Sequence, residues 1–157
     1  MKINIYTDGS AKGNPGKGGF GVVLMAGKHY KEISQGFRYT TNNRMELLAV
    51  IIGLENLKNN NSEVQVYSDS KYVVDSIEKK WVFQWEKKYF KGKKNADLWK
   101  RFLIIYKKHK VTFNWVKGHA GHPQNEKCDY LAVEASENPK LFVDEGYENT
   151  MSTNTIF

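Results

Sequence analysis

Residues 44–57, RMELLAVIIGLENL, constrain the fold more than any other stretch of the chain. The run is too long and too rich in Leu, Met and Ala for a strand, and Asn43 stands at the cap position before it. It predicts a largely buried helix. Upstream, residues 2–7 (KINIYT) alternate with a strand period, and residues 20–25 and 31–38 form two further strands separated by Gly-rich turns. These three make a meander. Downstream come a polar turn, a strand at 64–67 (VQVY), a helix from about Ser70, a basic helical region and a helix around 96–108. A strand at 111–116 (VTFNWV) and a last helix from Pro123 to Ser136 complete the pattern. The class is α/β: a mixed five-stranded sheet, with a three-stranded antiparallel meander plus two parallel strands, flanked by helices.

At 157 residues with 40% hydrophobic content, the chain is expected to form one domain with a genuine core. That domain spans residues 1–138. Residues 139–157 are expected to form a loosely ordered tail, because from Glu137 onward four acidic residues face one lysine with little periodicity. No leader-like N-terminus and no run of ~20 apolar residues is visible, so a soluble, cytoplasmic protein without membrane contact is expected; a monomer is expected as well.

The formal charge is +7, and residues 79–101 alone hold nine basic and two acidic residues, an excess equal to that of the whole chain. Lysines there alternate with Trp81, Phe83, Trp85, Tyr89, Phe90 and Trp99. Ammonium groups meet phosphates and aromatic rings pack on sugars or bases, so the segment suits a nucleic acid. A solvated amphipathic helix would show the same composition.

Chain direction brings four carboxylates to one edge. If strand 1 runs upward, the meander returns strand 3 upward and the buried helix starts at the top, with Glu46 in its first turn. The right-handed crossover rule lets strand 4 climb beside strand 1. Asp69 at its top then adjoins Asp8 at the top of strand 1, strands being ~4.8 Å apart. Strand 5 climbs too and delivers the loop GHAGHP and Asp129, in the second turn of the last helix, to the same place. Each residue also has an ordinary explanation: Asp8 a turn, Glu46 a capping box with Asn43, Asp69 a helix cap, Asp129 a solvated helix position. Together they repel unless protonated or bridged by cations, and hard oxygen ligands favour Mg²⁺ or Mn²⁺. Paired ions ~4 Å apart serve in-line phosphodiester displacement. Residues 114–129 (NWVKGHAGHPQNEKCD) invite a zinc reading, but Cys128 is the single cysteine and excludes a multi-thiolate site.

The stretches YTDGS (6–10), GNPGKGGFG (13–21), TTNNRMEL (40–47), YSDSKYV (67–73) and WVKGHAGHPQNEKCDYLA (115–132) together resemble type 1 ribonuclease H of the bacterial kind, from the first strand to about residue 138. The resemblance implies a ribonuclease H-like fold and metal-dependent hydrolysis of the RNA strand of RNA–DNA hybrids, leaving 3′-hydroxyl and 5′-phosphate ends, as in primer and R-loop removal. It implies Asp8, Glu46, Asp69 and Asp129 as ligands of two Mg²⁺ ions, with Mn²⁺ a substitute, and His119 as a proton-transfer or product-release residue. His122 and Cys128 carry no such role. For the substrate it implies Asn14, Asn42 and Asn43 with Lys71 on the RNA strand, Thr41 and Asn95 at a DNA-strand phosphate, and Trp81, Trp85, Lys87 and Lys88 on a basic protrusion. That protrusion is shorter between Phe90 and Asn95 than the familiar bacterial form, and Lys71 replaces a common glutamine. A non-catalytic hybrid-binding module and another nuclease of the same superfamily are the alternatives.

Overall fold

The computed structural model describes residues 2–118 and 121–153. Strands β1 (Lys2–Lys12), β2 (Gly16–Ala26) and β3 (His29–Thr40) form an antiparallel meander. Helix α1 (Asn42–Glu55) follows, then β4 (Glu63–Ser68), α2 (Lys71–Glu78), α3 (Trp81–Lys87), α4 (Ala96–Tyr106), β5 (Lys110–Trp115), α5 (Pro123–Ser136) and α6 (Glu145–Thr153). The sheet order is β3-β2-β1-β4-β5, with β4 parallel to both β1 and β5. The mixed five-stranded sheet expected from the sequence is therefore present. No helix among the described residues is long and apolar enough to cross a membrane.

Helix α1 owes its position to its composition. From Arg44 to Leu54 every residue except Ile52 is buried, and Met45, Leu47, Val50, Ile51 and Leu54 join Ile5, Phe20, Val22, Val64 and Val66 in one core on this face of the sheet. Its cap is Thr41, not Asn43: the Thr41 Oγ1 accepts from the Arg44 N–H at 3.2 Å. The helix thus starts earlier than the apolar run indicates, because Asn42 and Asn43 already have helical geometry.

The opposite face carries α5, and here Gly19, expected in a Gly-rich turn before the second strand, lies within β2, as Gly21 does, while Gly36 lies within β3. Gly19 and Gly36 are register partners on β2 and β3, and Gly21 is two residues further along β2. A Cβ at Gly19 would collide with the Ala132 carbonyl, at Gly21 with the Cys128 carbonyl and at Gly36 with the Ala135 carbonyl. The three bare positions let the α5 backbone rest on the sheet, where larger residues would hold it away. Gly21→Ala is expected to cost about 1–3 kcal/mol, since its neighbours are helix backbone and cannot rotate aside. Chemical denaturation of this variant against wild type checks it.

The C-terminal segment is the main departure from the sequence expectation. Phe142 bridges to Phe37 beside the edge strand β3, with backbone bonds from Arg38 N to Phe142 O and from Phe142 N to Gly36 O, each 2.9 Å. Its acidic residues, which suggested a solvated tail, find cations on β3 and α1. Arg38 donates to both Glu148 oxygens at 2.9 and 2.8 Å, and the Asp144 carboxylate takes two bonds from Arg44, at 2.8 and 2.9 Å. Asp144 is buried and also accepts from the Thr40 hydroxyl at 2.7 Å.

Candidate active site

The site forms where the C-terminal half of β1, the end of β4 and the first turns of α1 meet. Asp8 is paired with Gly21 inside the β1–β2 ladder and is not a turn residue. The neighbouring Gly9 admits α1: a side chain there would strike the backbone of Met45 and Glu46. Glu46 is the fifth residue of α1, one turn past the Thr41 cap, so no capping box involves it. Asp69 directly follows β4, and the cap of α2 is Ser70, whose Oγ accepts from the Val73 N–H at 3.2 Å. Other residues therefore perform the structural tasks that would have explained these three acids.

Oxygens of Asp8, Glu46 and Asp69 lie within 4.8 Å of one another. Asp8 and Glu46 are almost fully buried, and the Oε1 of Glu46 has no hydrogen-bond donor among the described residues. Burial, and then the charges of Asp8 and Asp69, push the Glu46 carboxyl well above its ordinary value near 4.5. Three hard oxygen donors in a largely buried nest, one of them the unbonded Glu46 Oε1, fit a divalent cation.

Asp129 is exposed on α5 and is not part of this close group. His119 lies outside the described residues. His122 caps α5 through its backbone, with no capping bond from its ring. Cys128 is buried and donates to the Tyr6 carbonyl at 3.2 Å, and burial, then the charge of Asp8, raises its thiol pKa. It is a packing residue, not a nucleophile.

A cleft of about 590 Å³ is lined by Asn14, Thr41, Asn43, Lys93, Lys94 and Asn95, with Gly146 and Tyr147 of α6. The Asn14 side-chain oxygen accepts from the Asn42 N–H at 3.1 Å, which ties the β1–β2 turn to the start of α1. Asn95, at φ 62°, donates to the Tyr72 hydroxyl at 3.1 Å and accepts from Arg44 at 3.3 Å. Arg44 is the residue that sequence reasoning overlooked. It lines the cleft, 2% exposed, and is gripped by Asp97 at 2.8 and 2.7 Å and by Asp144. Burial works against its charge, but the bonds to the two aspartates outweigh it and hold the pKa above the ordinary value. The only sequence signal was an arginine inside an otherwise apolar helix.

The basic segment is not one helix. After α3 the chain turns through left-handed residues at Tyr89, Phe90 and Asn95 before α4. Lys87 and Lys88 are exposed, Trp81 is 42% exposed, and Trp85 is half-buried against Trp99 with ring centroids 6.0 Å apart. Lys71 lies 4.4 Å above the Trp115 ring, and the Trp115 indole N–H donates to the Asp69 carbonyl at 3.3 Å.

A sheet of this order, with acids within β1, directly after β4 and on the helix packed across them, places the chain in the ribonuclease H-like fold class. The RNase H family pattern matches residues 1–137. The chain is 55% identical over 148 residues to the ribonuclease H of Desulforamulus reducens, covering 91% of this chain and 92% of that one. It is 52% identical over 153 residues to that of Rippkaea orientalis, covering 94% and 93%. Among solved structures, LC9-RNase H1, a type 1 RNase H with the type 2 active-site motif, superposes with a TM-score of 0.79 at 32% identity, covering 96% of this chain and 81% of that one. LC11-RNase H1 in complex with an RNA/DNA hybrid superposes with a TM-score of 0.68 at 29% identity, covering 86% and 96%. The chain belongs to the ribonuclease H family.

Proposed function

We propose that the protein is an endoribonuclease that hydrolyses the RNA strand of RNA–DNA hybrids, and that it acts as a cytoplasmic monomer. The observation that carries this is the meeting of Asp8, Glu46 and Asp69 within 4.8 Å, none of them engaged in a cap or turn. Two divalent ions, Mg²⁺ with Mn²⁺ as substitute, would supply Lewis acidity to the attacking water and to the leaving 3′ oxygen. Asp8, Glu46 and Asp69, with Asp129 from α5, would hold them. His119, the first histidine of GHAGH, exchanges protons with solvent or product near neutral pH.

Substrate selection rests on groups that tell ribose from deoxyribose. Asn14, Asn42 and Asn43, with Lys71, reach the RNA strand, and an amide can both donate to and accept from a 2′-hydroxyl. Thr41 and Asn95 hold a phosphate of the DNA strand over the cleft, with the Arg44 charge beneath. Trp81, Trp85, Lys87 and Lys88 extend the contact along the duplex.

Labelled hybrid, double-stranded RNA and double-stranded DNA of one sequence, incubated separately with the protein and Mg²⁺, test the reading. Cutting confined to the RNA of the hybrid is expected. Cutting of duplex DNA would move the chain to another nuclease activity, and binding without cutting would leave only a hybrid-binding module. Lys87→Ala with Lys88→Ala is expected to raise KM more than it lowers kcat. It should also reduce the slope of log K against log salt by roughly 0.9 per lost phosphate contact. An unchanged slope would return these lysines to plain solvent exposure.

A further inference from the structure

Asn125, in the first turn of α5, is fully buried, like the smaller Cys128 and Ala132 of the same helix. An apolar side chain would serve packing alone, because a buried amide gives up its bonds to water and must replace them. The Asn125 amide finds its bond on the sheet, donating to the Tyr67 carbonyl at 3.3 Å. Three residues further along, the Cys128 thiol donates to the Tyr6 carbonyl at 3.2 Å. Tyr6 and Tyr67 are register partners on β1 and β4. Helix α5 is therefore fastened to both central strands at one level.

That level is two residues short of a carboxylate on each strand, since Asp8 follows Tyr6 and Asp69 follows Tyr67 at that spacing. Asp129 comes four residues after Asn125, and positions four apart on a helix share a face. The Thr7 hydroxyl, one residue before Asp8, donates to the same Tyr67 carbonyl at 3.3 Å. One carbonyl, on the strand that leads to Asp69, thus collects bonds from β1 and from α5. The body of α5 packs on β1, β2 and β3. Toward β4 the tie is the Asn125 amide.

We infer that Asn125 is a positioning residue: by tying α5 to the end of β4 it sets Asp129 relative to Asp69, so that both carboxylates can serve one cation. This rests on the reading above, in which Asp129 joins Asp8, Glu46 and Asp69 in holding metal. Asp129 is exposed and outside the close group, so its place is set by how the helix beneath it is held. Without the tie, α5 keeps its close contacts at Gly19, Gly21 and Gly36. The fold survives, and the register of α5 on β4 is lost.

The test uses the full chain as wild type, Asn125→Leu, Asp129→Asn and the double variant. Mn²⁺ binding to the protein alone is read from the EPR signal of the free ion, and cleavage of an RNA–DNA hybrid is followed over a series of Mg²⁺ concentrations. Asn125→Leu is expected to bind Mn²⁺ about tenfold more weakly and to need about tenfold more Mg²⁺ for half-maximal turnover. Its KM for hybrid at saturating Mg²⁺ should equal that of wild type. In the Asp129→Asn background the same change should alter Mn²⁺ affinity less than about twofold, because the two residues act as one unit. Asn125→Ser adds no bulk and is too short to reach Tyr67, so it should match Asn125→Leu and replaces it if leucine prevents folding. Wild-type Mn²⁺ affinity in a folded Asn125 variant, an equal loss with and without the Asp129 carboxylate, or loss of the thermal transition in both Asn125 variants would each overturn the assignment and leave the nuclease reading intact. A wild-type protein that does not cut hybrid at all would instead overturn that reading.

Discussion

Asp8→Asn is expected to lower cleavage of the RNA strand by about 10³-fold or more while making the metal-free protein more stable. The two effects have one cause. Asp8, Glu46 and Asp69 are crowded at one partly buried place, and Asp8 is the foremost charge acting on Glu46 after burial itself. Removing that charge takes away a cation ligand and also relieves repulsion. The pH dependence follows from the direction of the Glu46 shift. A carboxyl whose folded pKa lies above its unfolded value favours the folded state while protonated. Without metal, its contribution is therefore fully present below about pH 4.5 and is lost as pH rises toward the raised folded value. Thermal melts in EDTA should show stability falling across that window in wild type and falling less in Asp8→Asn. Adding Mg²⁺ should raise the wild-type midpoint more than that of the variant. A variant that melts below wild type in EDTA, or that cuts hybrid at a normal rate, would contradict this account of the site.

Arg44→Ala should be the most damaging single change to the fold outside the apolar core. It leaves the Asp144 carboxylate buried with its main partner gone, a situation that costs about 3–5 kcal/mol. For a chain of this size that is roughly 10 °C in thermal midpoint. Lysine should rescue little, because one ammonium cannot replace the guanidinium fork that meets Asp97 and Asp144 at once. Combining Arg44→Met with Asp144→Leu removes both charges and should recover much of the loss. Denaturant melts of the single and double variants measure this directly. A double variant no more stable than Arg44→Ala would show that the arginine stabilises through packing alone.

The parts of the fold visible in the sequence were those encoded locally. The all-round apolar helix, the alternating strands and the rule for parallel crossovers were enough to predict that Asp8, Glu46 and Asp69 would meet, and they do. The same reasoning added Asp129 to them, but Asp129 stands exposed on α5 and is outside the close group, because strand and helix order does not fix where a single helical side chain lies. Long-range pairing was invisible. Arg44 meets partners 53 and 100 positions away, and nothing in an arginine announces which distant aspartates will bury it. The acidic tail was misjudged for the same reason, because its charges complement Arg38 and Arg44. Gly19 looked like part of a turn because its purpose, close approach of the α5 backbone, belongs to tertiary packing.

The central claim is that these carboxylates direct metal-dependent hydrolysis of RNA paired with DNA. End-group analysis of a hybrid labelled on both strands, with Mg²⁺ or with EDTA, tests it most directly. The account predicts RNA fragments ending in 3′-hydroxyl and 5′-phosphate, intact DNA and no products in EDTA. Fragments ending in 2′,3′-cyclic phosphate, or cleavage that persists in EDTA, would contradict it.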